Sequence, residues 1–112
     1  MIEPALVYAA LLQFAEDNWD WGSWYEWTHV SVGTSYEVPG LGEVTVVDSH
    51  NYDRSKNYDS WSEDIWIVFA VGDTLYKVKG LHTSYEGSTW DRHMVIVVPK
   101  LKQITVYEEP NE

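Results

Sequence analysis

The sequence has no cysteine, which excludes disulfides and thiolate metal sites and fits a reducing cytosol. It has no apolar run near the roughly 18 residues of a membrane span. The apolar opening "MIEPALVYAALLQFAED" lacks a basic leading segment and carries Glu3 and Pro4 early, so it reads as part of the fold rather than as a signal peptide. Basic side chains are scarce: seven Lys and Arg stand against 18 Asp and Glu, for a formal charge of −11. None of the seven precedes Arg54, whereas residues 1–53 hold nine acids. A nucleic-acid face needs clustered Lys and Arg, and a field of this sign repels nucleic acid and anionic membrane alike. There is also no glycine-rich phosphate loop, Walker pattern, dinucleotide fingerprint, internal repeat or low-complexity tract.

What is present makes one α+β domain. A chain of 112 residues, 45% of them hydrophobic, can build a core without staples. Residues 4–17 predict a helix: Pro4 suits the first helical position, alanines favour the state, and Val7, Leu11 and Phe14 share a face beside Ala10. Glu16 and Asp17 close that helix against its dipole, which local preference does not explain. "SWYEWTHVSVG" (23–33) alternates as a strand does, "VPGLG" is a turn, and "EVTVVDSH" is a strand. "NYDRSKNYDSWSED" (51–64) reads as a polar loop. "DIWIVFAV" predicts a central strand, Gly72-Asp73 a hairpin, and "TLYKVKGLHTSY", "TWDRHMVIVV" and "KQITVYEE" the strands that follow. Gly80 marks a bulge or bend, and Tyr85 and Trp90 are placed to pair across the turn at Glu86-Gly87-Ser88. The expected architecture is an N-terminal helix on a twisted antiparallel sheet of five to six strands, with closure into a small barrel left open.

"VGDTLYKVKG", then "SYEGSTWD", then a strand, Pro99 and a terminal "ITVYE" are turn-and-strand signatures. Over residues 36–108 they resemble a group of small uncharacterised proteins encoded by bacteriophages and prophages. "DRHMVIVV" departs from that group's more acidic, Gly-containing strand start. The resemblance carries over no functional residue. It implies a setting, that of a phage accessory protein in the cytoplasm of an infected bacterium.

Chemistry-bearing constellations are thin. Asp48, His50 and Asp53 are possible ligands for a hard or borderline metal, but they hold one His and adjoin a polar loop, so no metal and no cofactor are expected. Ser84 near His82, and Ser60 and Ser62 near Glu63, are fragments of a triad without a nucleophile elbow. Glu63 and Asp64 would face opposite sides of a strand, which suits no paired acid–base role. No catalytic residue is expected. The aromatic run "NWDWGSWYEW" is the stronger signal, with Trp19, Trp21, Trp24, Tyr25 and Trp27 within nine residues. So many rings cannot all point inward, and two or three should be core. The partner-binding residues expected are Glu16, Asp17, Asp20, Trp21, Trp24, Glu26 and Trp27, facing a basic surface of a host protein. The expected function is non-enzymatic: binding and inhibiting a host protein through this acidic, Trp-rich surface, with a nucleic-acid-handling or defence protein as the expected target. A carbohydrate or small-ligand platform of tryptophans is the alternative, and a minor virion component a third reading.

Overall fold

The computed structural model describes residues 1–51, 62–83 and 87–99. Two helices, α1 (Pro4–Asn18) and α2 (Trp24–Trp27), precede five strands: β1 (Ser35–Val38), β2 (Gly42–His50), β3 (Ser62–Val71), β4 (Thr74–Thr83) and β5 (Gly87–Val97). All neighbours pair antiparallel in the order β1-β2-β3-β4-β5, a simple meander.

The α1 expectation holds to within a residue. Pro4 opens it, and Val7, Leu11 and Ala15, four apart, are its fully buried stripe. Its last turn is closed from within: Asn18 Nδ2 donates to the Phe14 carbonyl at 2.9 Å, and Trp19 then leaves the helix in an extended conformation. The sheet expectation needs two corrections. Among the described residues the sheet has five strands and is open, with β1 and β5 at opposite edges, so it does not close into a barrel. The sixth strand, placed at "KQITVYEE", lies outside the described residues. Ser62–Asp64, read as the end of a loop, begin β3, where they pair with Leu81–Thr83 of β4.

The larger correction concerns residues 23–33. Residues 24–27 are helical, and the strand at this point of the chain is the shorter β1. The cause is local chemistry. Ser23 Oγ accepts the Tyr25 N–H at 3.3 Å, and Glu26 reaches back to accept the Ser23 N–H at 3.3 Å. This is a capping box, Ser-x-x-Glu, and it starts a helix wherever its two ends can meet. The turn also changes which rings agree. As a strand, Trp24 and Trp27 would point to opposite faces; one helical turn puts both against the sheet.

Both helices lie on one face of the sheet. Val7, Leu11, Ala15, Trp24 and Trp27 pack on Val44, Val46, Ile67, Phe69, Tyr76, Val78 and Met94. Tyr76 Oη donates to the Ile2 carbonyl at 2.6 Å and Tyr8 Oη to the Asp91 carbonyl at 3.0 Å, which tie α1 to β4 and β5. The ladder register shifts between Val78 and Gly80, the bulge read from the sequence. Trp90 sits opposite Gly80 rather than Tyr85, which lies outside the described residues. A Cβ at Gly80 would stand 2.5 Å from the Thr89 carbonyl oxygen and 2.9 Å from the Trp90 ring, so only glycine lets β5 approach here.

The two core indoles differ in one respect. Trp27 Nε1 donates to the Leu11 carbonyl at 3.0 Å, whereas the buried Trp24 Nε1 finds no acceptor among the described residues. Replacing a tryptophan by phenylalanine leaves a similar void at either place, but only at position 27 does it remove a hydrogen bond. At position 24 it removes an unsatisfied donor, whose burial costs about 1–3 kcal/mol. Trp27→Phe should therefore destabilise more than Trp24→Phe, by about 1 kcal/mol or more, in urea denaturation at equal m-value. Gly80→Ala should lower stability by about 1–3 kcal/mol through overpacking against backbone, measured in the same way.

Candidate functional site

The link between α1 and α2 decides what reaches the surface. Gly22 has φ +58°, and a Cβ there would lie 3.1 Å from both Cα and Cγ of Glu16. The chain thus folds back on the last turn of α1, and α2 is laid beside it. This brings together most of the residues expected at a partner surface. Glu16, Asp17 and Asp20 are exposed, Glu26 is half-buried, and Trp21 is 77% exposed. Trp21 and Tyr25 form a tilted ring pair with centroids 5.9 Å apart, and Tyr25 is itself 45% exposed.

Two members of the expected set go elsewhere. Trp24 and Trp27 are 3% and 0% exposed and belong to the core. The capping box turns both toward the sheet, so their side chains lie beneath the surface. Trp19 lies between these groups: half-buried, it meets Trp27 edge-on at 4.9 Å, Phe14 at 5.5 Å and Tyr36 at 5.8 Å.

Beside this surface runs a groove of about 470 Å³ between α2 and β1, lined by Trp19, Tyr25, Glu26, His29, Val30, Ser31, Thr34 and Tyr36. Its size falls within the range of small-molecule and side-chain pockets. His29 Nδ1 lies 2.9 Å from the Tyr25 carbonyl oxygen, and the rings of the two residues are 4.6 Å apart. A carbonyl only accepts, so in this contact Nδ1 is the donor, which fixes the orientation of the ring. Tyr25 and His29 stand four residues apart and share a side through this turn. The sequence reading missed His29, Thr34 and Tyr36 as site residues. The signal for the first was the Ser23-x-x-Glu26 spacing; for Thr34 and Tyr36, which arrive by tertiary folding, there was none.

The other candidate constellations resolve differently. Asp48 Oδ2 accepts the Trp66 Nε1–H at 3.3 Å, and His50 stacks on Trp66 at 4.7 Å with Nε2 3.6 Å from Glu63. Asp53 lies outside the described residues, and among those described no three His, Asp or Glu side chains converge as a metal set. His82 meets Ser88 at 2.8 Å, while Ser84 and Ser60 lie outside the described residues. Lys77 and Lys79 alternate with the buried Val78 and so lie on the sheet face away from the helices, Lys77 over the Trp66 ring at 4.9 Å. The acids around α1 and α2 and these two bases thus occupy opposite sides of the sheet. No described helix is long and apolar enough to cross a membrane. Comparisons with protein-family models, with curated proteins and with solved structures return no match.

The capping box makes the site's charge separable from its fold. Ser23→Ala should cost about 1 kcal/mol through loss of the cap. Glu26→Gln keeps a group that reaches back to Ser23 and should change stability by less than about 0.5 kcal/mol. Thermal melts of the two variants beside the parent check both values.

Proposed function

We propose that this chain is a non-enzymatic binding protein that occupies and inhibits a basic surface of another protein. The observation that carries the reading is the exposed Trp21–Tyr25 ring pair, with Asp20 next to Trp21 in the chain, Glu16 packed against Gly22, and Asp17 exposed on the same last turn of α1. Aromatic rings with few rotors anchor interfaces, and surrounding acids steer a basic partner and stack or pair with its arginines. The placement of the acids adds support. Glu16 and Asp17 sit in the last turn of α1, which has no basic residue, so they oppose the helix dipole. Glu37 and Glu43 stand directly opposite each other across β1 and β2, where like charges repel. Acids kept where they cost stability are explained by what they meet outside the fold.

The setting comes from the resemblance of residues 36–108 to phage and prophage proteins. In that setting the protein acts in the host bacterial cytoplasm, and its partner is a host protein that handles nucleic acid or serves in defence. Such proteins present basic grooves to phosphate, and an acidic surface competes for them. A carbohydrate or small-ligand module is the second reading, favoured by the volume and aromatic lining of the groove between α2 and β1.

A partner surface and a merely solubilising one differ in what charge reversal does. Asp17→Lys should raise stability by about 0.3–1 kcal/mol, because a base replaces an acid at a helix C-terminus. The same substitution, and Asp20→Lys, should remove the bacterial proteins that the tagged parent retains from lysate at low salt. Trp21→Ala should also lose them while melting as the parent does. If the charge-reversed variants retain the same proteins as the parent, the acidic surface has no part in binding.

A further inference from the structure

We propose that the groove between α2 and β1 takes an arginine side chain of the partner, its guanidinium stacked on Tyr25 and paired with the Glu26 carboxylate; this rests on the reading of the surface as a basic-partner site. The argument begins with what the groove lacks. Among the described residues no Lys or Arg lines it, and none occurs anywhere in residues 1–53. Its walls include the rings of Trp19, Tyr25 and Tyr36, and the face of an aromatic ring attracts a cation.

The acceptors are held in place. Glu26 Oε1 is fixed by the Ser23 N–H at 3.3 Å, which orients the carboxylate and leaves Oε2 for a ligand. The bond from His29 Nδ1 to the Tyr25 carbonyl holds that ring in place at the groove. Thr34 and Tyr36, which carry hydroxyl groups, line the β1 side.

A ligand rich in donors and without acceptors matches this lining, and a guanidinium is such a group, with five N–H donors in a plane. Its plane stacks on a ring while its fork meets a carboxylate, which a compact, strongly hydrated ammonium does less well. A neutral sugar also stacks on rings and can donate a hydroxyl to Glu26, but it carries no charge to pair with that carboxylate.

The test uses a short blocked arginine–glycine peptide, the same peptide with lysine for arginine, and N-acetylglucosamine. Each is titrated into the full chain and followed by tryptophan fluorescence and by the indole N–H resonance of Trp19. The arginine peptide should bind more tightly than the lysine peptide. Tyr25→Leu, which keeps bulk but removes the ring, and Glu26→Gln should each weaken it roughly tenfold. Equal binding of the two peptides, unchanged in either variant, would reduce the interaction to diffuse charge and overturn the proposal. So would binding of N-acetylglucosamine in place of the arginine peptide, or binding of no probe. The broader reading fails separately. If Asp20→Lys and Trp21→Ala abolish capture from lysate while Tyr25→Leu and Glu26→Gln do not, the partner surface stands and the arginine groove falls. If none of the four affects capture, the partner surface itself is wrong.

Discussion

One buried hydrogen bond organises the helical side of the molecule. The Trp27 indole, with no exposed surface, donates to the Leu11 carbonyl in the middle of α1. That carbonyl already serves the helix, so the indole takes its second lone pair without breaking the ladder. The bond fixes α2 against α1, and the ring it anchors touches Phe14, Trp19, Tyr36 and Phe69, with centroids between 4.9 and 5.8 Å. Trp27 therefore joins α1, the link, β1 and β3 at once. Everything at the proposed surface hangs from this point: Trp19 leans on it, Tyr36 forms the far wall of the groove against it, and Tyr25 is turned outward because Trp24 and Trp27 are turned in.

Stability and surface chemistry divide cleanly between the two faces of α2. Its inward tryptophans belong to an apolar core that tolerates little change of volume. Its outward residues serve the turn itself: Tyr25 meets Trp21 and His29, and Glu26 closes the capping box, a role that glutamine can also fill. The acids at the end of α1 and across β1–β2 go further, because they stand where a helix dipole or a like charge opposes them. A sheet of long, mutually paired strands in β2 to β5 can absorb that loss, whereas an isolated helix or hairpin could not.

Much of this was legible in the sequence where a single period dominates. α1 shows its fourfold apolar spacing and an opening proline, and β3 to β5 show β-rich runs separated by Gly-rich turns. Gly80 was legible as an irregularity, although its reason, the close approach of Thr89 and Trp90, is a tertiary fact. The segment 23–33 misled because aromatic and polar residues alternate there by coincidence, and a four-residue helix is too short to impose a period. The capping box outweighed the alternation, since it satisfies backbone donors that a solitary strand would leave to water. β1 is a short edge strand with Glu37 at its centre, so it carries no clear apolar pattern of its own.

The site was half legible for a related reason. Charge is a property of composition, so the acidic surface was visible before the fold. Which tryptophans face inward is a property of packing, and it turns on the spacing of Trp24 and Trp27 within one helical turn. The same turn that removes them from the surface creates the groove, because it leaves Tyr25, Glu26 and His29 on the side facing β1. A cluster of rings and acids in sequence becomes, after folding, two things with separate duties: a core that holds the backbone still, and an aromatic, acceptor-rich cleft held open by it. The proposed binding surface gains from being packed on that core. Rings and a carboxylate fixed before the encounter lose little freedom on contact, so more of their interaction energy remains as affinity.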